Sequence, residues 1–211
     1  SLDDNRRAID EAKTLAAPCL VLVVGALPGA LEGRPAYTDI ARARGEVRDG
    51  IAASLEYARE VGMPLAIEPL HPMQAADRAC INTLEQALDL CDELEPDRGG
   101  MLGVALDIYH VWWDPKLQQQ IARAGTGPER RLSSRLLAYH VCDWLTPTRD
   151  LLSDRGMMGD GVVELKKIRG WVEAAGFAGF SEVEIFSQLD WWQRDGAEVL
   201  DTCIERHRRA V

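Results

Sequence analysis

The sequence predicts an α/β fold built on a parallel sheet. Short apolar runs alternate with segments of helical period five times along 211 residues. Such alternation gives parallel strands joined by right-handed helical crossovers. Four of the runs also end in a hard oxygen or an imidazole with a loop behind it: Glu68 after Pro64–Ile67, Asp107 after Leu102–Leu106, His140 after Leu136–Tyr139, and Glu184 after Phe180–Val183. In α/β barrels the C-terminal strand ends carry the chemistry. Five units make either an open doubly wound sheet or part of a barrel. No GxGxxG follows the first strand, so a dinucleotide fold has little support.

Each element has its own signal. Ala8, Ile9, Ala12, Leu15 and Ala16 fall at helical spacing over residues 5–16, and Pro18 stops that helix. Cys19–Val24 reads as a buried strand ended by Gly25. Residues 26–37 are a loop. Thr38 or Asp39 caps a long helix that Gly62 terminates. Strand 64–68 and the loop Pro69–Cys80 follow. Thr83 and Gln86 have the spacing of a capping box for a helix to Leu94, stopped by Pro96 and Gly99–Gly100. After strand 102–107, residues 108–135 are partly helical, with Pro115 suited to a first turn and a break at Gly125–Gly127. Strand 136–142 leads into a long loop, 143–163, of the kind that is usually functional or disordered. Helix 164–175, strand 180–186 and a final helix over 195–209 complete the pattern.

Composition narrows the class. With 46% hydrophobic and 27% charged residues the chain is globular, and its length supports a sizeable core in a single domain over 1–211. Lys and Arg number 24 against 34 Asp and Glu, so the net charge is −10. That opposes nucleic acid, whose affinity rests on neutralised phosphates, and gives no support to an anionic membrane. The clusters Arg6–Arg7, Arg130–Arg131 and Arg206–Arg209 read as solvated faces. No apolar run is long enough to cross a bilayer, and Ser1–Arg7 lacks a signal-peptide pattern. Cys19, Cys80, Cys91, Cys142 and Cys203 are scattered without a CxxC pair, which fits free thiols in a reducing cytoplasm.

A lone Glu at a strand end serves more often in an ion pair than as a ligand. The joint occurrence of Glu68, Asp107, His140 and Glu184, one per successive strand, favours a shared site. Three carboxylates drawn together repel unless protons or a cation answer them. Three oxygens with one imidazole suit one divalent ion: manganese foremost, with magnesium, cobalt, zinc or iron compatible. Cys142, two residues beyond His140, reads as packing. Trp112–Trp113, Trp144 and Trp191–Trp192 follow these strands closely and serve either as aromatic walls of a pocket or as packing.

The segments IEPL at 67–70, ALDIYH at 105–110, YHVCDW at 139–144, RGMMGDG at 155–161 and EVEIF at 182–186 resemble the sugar phosphate isomerase/epimerase superfamily, with its xylose isomerase-like TIM barrel. The resemblance covers nearly the whole chain. It implies a (β/α)8 barrel of which the five strands here are the last five, the first three strand–helix units being absent from this stretch. It also implies that Glu68, Asp107, His140 and Glu184 hold the metal, that Glu68 and Glu184 are the acid–base pair, and that His110 and Arg155 contact substrate. Gln74 stands where the epimerases place a substrate-binding Glu, which separates this chain from a simple ketose 3-epimerase. His71 is a further polar contact.

The expected function is therefore metal-dependent isomerisation or epimerisation of a small keto-sugar, polyol or related hydroxy-carbonyl compound through an enediolate. A dehydratase of the inosose or dehydroshikimate type, or a sugar-binding module whose catalysis has lapsed, are the alternatives. An endonuclease IV-like activity fits poorly with four His and a charge of −10. The partner is a sugar-like small molecule, and self-association into a homo-oligomer is compatible with it.

Overall fold

A computed structural model describes residues 2–126 and 132–211. Arg130, Arg131 and Gly127 lie outside them. The chain begins with helix α1, Leu2–Thr14, which buries Ile9 and Ala12. Strand β1 is Leu20–Val23. Helix α2, Ile40–Val61, starts where Asp39 accepts the Arg42 amide at 3.0 Å and stops at Gly62, whose φ of 70° suits glycine. Strand β2, Leu65–Glu68, leads through a short 3-10 turn, Pro72–Gln74, to helix α3, Leu84–Leu94. Strand β3, Leu102–Asp107, passes directly into the single-turn helix α4, Ile108–Val111, and then into α5, Leu117–Ala124. Strand β4 is Leu136–Val141.

The region 143–163 holds more order than its sequence predicts. Asp143–Trp144 (β5) and Arg155–Gly156 (β6) form a two-residue antiparallel ribbon. Helix α6, Leu165–Ala174, strand β7, Ser181–Val183, and helix α7, Gly196–Ala210, follow.

The main sheet is parallel throughout, in the order β1-β2-β3-β4-β7. Its two faces have different fillings. Leu65, Ile67, Leu102, Val104, Leu106, Tyr139 and Val141 pack outward into the helices. Alternate residues turn inward, where Ala66, Ala105 and Ala138 form a small-residue layer. Side chains two apart share a face of a strand, so Glu68, Asp107 and His140 stand one layer above these alanines. On β4 the register slips by one residue beside Val104/Ala105, which keeps Ala138 opposite Ala105 and His140 opposite Asp107. Gly103 permits the close approach this requires, since a Cβ there would lie 2.4 Å from Arg135 O.

Several expectations need correction. The sheet has five strands and is not closed into a barrel among the described residues. Its edges are β1 and β7, so β1 is only half-buried, with Val23 55% exposed, and β7 shortens from the expected 180–186. An edge strand has partners on one side only. Pro115 precedes α5 rather than opening it, because Asp114 takes the Lys116 and Leu117 amides first. The capping box is half formed: Thr83 accepts the Gln86 amide, but Gln86 Oε1 reaches the Asn82 amide.

Candidate metal centre

Four adjacent strands deliver the four candidate ligands to one place. Glu68, Asp107, His140 and Glu184 each offer an atom, and these atoms all lie within 4.8 Å of one another. Glu68, Asp107 and His140 are buried, and Glu184, just past the edge strand β7, has its side chain one-third exposed. His140 Nδ1 sits 3.3 Å from Glu68 Oε1 and 3.2 Å from Glu184 Oε2. Neither contact has hydrogen-bond geometry, and Glu68 Oε1 and His140 Nδ1 are buried without a hydrogen-bond partner. Buried polar atoms in folded proteins are normally satisfied. Two orphaned donor atoms facing each other, with two further carboxylates in reach, fit a divalent cation bound by these four residues.

The electrostatics agree. Burial pushes Glu68 up from its ordinary value, against the pull of His140. Burial alone would lower His140, but Glu184, Glu68 and Asp107 outweigh it and hold the imidazole at about 10. A crowded anionic site therefore keeps a proton on its histidine when nothing else supplies positive charge.

The second tier of side chains orients the first. Asp107 Oδ1 accepts the Tyr109 amide at 2.9 Å, and its Oδ2 accepts Arg155 Nη1 at 2.8 Å. Arg155 Nη1 also lies 3.3 Å from Glu184 Oε2. The guanidinium is buried between the rings of Tyr109 and Phe186, at 4.4 and 4.8 Å from their centroids. Burial would lower its pKa, but Asp107, Cys142 and Glu184 raise it overall. Arg155 is thus a fixed cation, carried to the site by the β5–β6 ribbon.

His110 completes the wall. Its Nδ1 accepts the His71 amide at 3.1 Å, so its proton belongs on Nε2. Burial, then the charge of Arg155, pull its pKa down to about 3, and it stays neutral. Nε2 lies 3.6 Å from Asp107 Oδ2 and 3.3 Å from Arg155 Nη2. His71 stacks on Trp144 with centroids 4.8 Å apart, and Trp113 meets it edge-on at 5.8 Å. Trp191 is buried under Arg194, while Trp192 is largely exposed against Phe186.

A cavity of about 210 Å³ opens over this centre, lined by Glu68, His110, Arg155 and Glu184 together with Gln74, Arg78 and the apolar Val23, Leu70, Leu151 and Phe186. Gln74 is buried and donates to Leu151 O. Sequence reasoning singled out neither Arg78 nor the apolar walls. They come from separate loops whose meeting no spacing announces.

A family described as the xylose isomerase-like TIM barrel matches residues 1–203. The chain belongs to the xylose isomerase-like TIM barrel family. The motif resemblance is thereby borne out. Protein SMc04130 from Sinorhizobium meliloti 1021 superposes with a TM-score of 0.89 at 57% identity, over 99% of this chain and 70% of that one. An IOLI protein with a bound zinc atom superposes with a TM-score of 0.75 at 19% identity, over 99% of this chain and 68% of that one. The 3-keto-D-glucoside 4-epimerase YcjR from E. coli, in its apo form, gives a TM-score of 0.68 at 16% identity, over 99% and 70%. The last two show a shared fold of this family and no more. No curated protein matches the chain. No helix among the described residues is long and apolar enough to cross a membrane.

Proposed function

We propose that this member of the family is a divalent-metal-dependent isomerase or epimerase of a small keto-sugar, polyol or related hydroxy-carbonyl compound, acting in the cytoplasm. The convergence of Glu68, Asp107, His140 and Glu184 within 4.8 Å, under a cavity of substrate size, carries this reading. Glu68, Asp107, His140 and Glu184 would hold a divalent ion, which would supply Lewis acidity toward the substrate oxygens. The donor set suits manganese, and zinc, cobalt, magnesium or iron fit it as well.

The chain's own residues then do the proton work. The hydroxyl-bearing carbon beside the carbonyl loses its proton to one carboxylate of the Glu68/Glu184 pair, leaving the electrons in an enediolate. A proton returns from a carboxyl to the other face of that carbon, giving an epimer, or to its neighbour while the hydroxyl proton passes to the former carbonyl oxygen, giving an isomer. Glu184, one-third exposed, can exchange its proton with water, whereas Glu68 is buried. Neutral His110 presents Nε2–H and Arg155 presents its guanidinium, so both orient substrate oxygens as donors. The open edges β1 and β7 support completion of the sheet by further strand–helix units, toward the eight-stranded barrel of the family.

The test is solvent exchange. Complete, manganese-loaded protein in deuterated water should place deuterium at the carbon beside the carbonyl of a ketose in a substrate panel. Absence of exchange across the panel rejects the proposal. An unsaturated or deoxy-keto product would instead make the protein a dehydratase that uses the same carboxylates.

A further inference from the structure

Arg78 lines the same cavity as Glu68, His110, Arg155 and Glu184. It stands on the loop that leaves β2 directly after Glu68. That loop is tightly held: Leu70 N donates to Ile81 O, the Arg78 and Ala79 amides both reach Gln74 O, and Asn82 Nδ2 donates to Leu70 O. Among the described residues no ion pair involves Arg78, although Asp150 feels its charge. Asp150 Oδ1 is itself taken by the Leu152 and Ser153 amides and by Ser153 Oγ.

The charge count makes this residue a surplus. Glu68, Asp107 and Glu184 bring three negative charges. Arg155 answers one of them through Asp107 and Glu184, and a divalent ion would answer two. Arg78 then remains on the cavity wall as a positive charge in no direct ion pair among the described residues, with Asp150 in electrostatic range. The cavity is also small. At about 210 Å³ it has room for a small molecule. A phosphate dianion gathers several donors, and no Lys lines this cavity beside the Arg78 guanidinium. A planar carboxylate matches such a single fork.

Resting on the isomerase reading, we infer that Arg78 is a specificity residue that binds a carboxylate at the end of the substrate remote from its carbonyl. The substrate class is then a keto-sugar acid in place of a neutral ketose.

D-fructose, D-fructuronate and D-fructose 6-phosphate differ only at C6. Calorimetric titration of each into the complete, manganese-loaded protein reads affinity independently of turnover, and D-tagatose with D-tagaturonate repeats the comparison in the other epimeric series. The wild type should bind a keto-sugar acid at least about tenfold more tightly than its neutral partner. Arg78→Ala should bring that ratio close to one, and Arg78→Lys, which keeps charge and loses the fork, should fall between. Arg78 is exposed, so both variants are expected to fold. Equal affinity for acid and sugar, no acid binding, or a ratio that survives Arg78→Ala overturns the inference. Preference for the 6-phosphate overturns the carboxylate assignment. Arg78-dependent acid binding without deuterium exchange upholds the inference while ending the isomerase reading. Exchange without acid preference does the reverse.

Discussion

Arg155 Nη1 donates to Asp107 Oδ2 across 2.8 Å, and both side chains are buried. The bond ties the β5–β6 ribbon to the end of β3 and spends one carboxylate oxygen of the candidate metal centre on a neighbour. Removing one partner of a buried pair leaves the other charge unanswered, at a cost of about 3–5 kcal/mol. Arg155→Met should therefore lower the urea midpoint strongly, and saturating manganese should recover part of the loss by answering Asp107. Arg42→Met is the control, since Arg42 pairs with Glu46 while both side chains are about half exposed, and its effect should be far smaller.

Glu184→Gln keeps the shape of the side chain and removes its capacity to take a proton. If Glu68 and Glu184 form the acid–base pair, solvent exchange at the substrate carbon should fall at least about a hundredfold. Glu184 directly follows the edge strand β7 and is partly exposed, so the fold should tolerate the change. Exchange at the wild-type rate would remove Glu184 from the proton transfer.

Metal uptake should release protons. The surrounding carboxylates hold His140 at about 10, so at pH 7 its ring carries a proton that a cation must displace. With a raised pKa the competing proton is bound below that value and lost above it. Apparent affinity for manganese should thus rise about tenfold per pH unit between pH 6 and 9. Titration calorimetry in two buffers of different ionisation enthalpy counts the proton directly. An affinity independent of pH would show that metal binding displaces no proton from His140.

Much of this site was legible because each ligand stands at or beside the C-terminal end of a strand. Glu68, Asp107, His140 and Glu184 could be read as a set without any contact between them in sequence. Asp39, Gly62 and Thr83 were equally readable, as caps act within three residues. The β5–β6 ribbon was not, because strands of two residues carry no period to detect. The half-exposure of β1 was hidden too. A run such as Leu20–Val23 records that a strand forms, not whether both of its edges are paired. Arg78 enters the cavity through the folding of its loop, ten residues after Glu68, and nothing in its immediate sequence marks it.

The opposite end of the sheet offers a test that separates stability from chemistry. Arg135 is fully buried, donates to Glu95 O and Leu102 O, and lies 3.4 Å from Glu95 Oε2. Glu95 in turn accepts the Met101 and Leu102 amides that begin β3. Arg135→Met should cost about 3 kcal/mol in urea unfolding. The manganese affinity of the protein that remains folded should stay within about twofold of wild type, since sites without shared partners act additively.

Gly161 is where the Arg155-bearing loop closes on the strand that precedes it. A Cβ there would lie 2.2 Å from Trp144 O and 2.5 Å from Asp143 Oδ1. The carbonyl cannot yield, because it accepts the Val162 amide at 3.1 Å. Asp143 is buried and holds the same turn through the Trp144, Gly159 and Val163 amides. Gly161→Ala must therefore push the turn away from β5, costing about 1–3 kcal/mol. The displacement should pass to Arg155 through the Asp143–Gly156 and Trp144–Arg155 pairs. Amide hydrogen exchange should accelerate over residues 155–163 while β2 and β3 keep their protection. Substrate affinity should weaken more than turnover slows, because Arg155 positions substrate and the two glutamates stay in place. Unchanged exchange over 155–163 would mean that the turn absorbs the methyl group locally and leaves Arg155 in place.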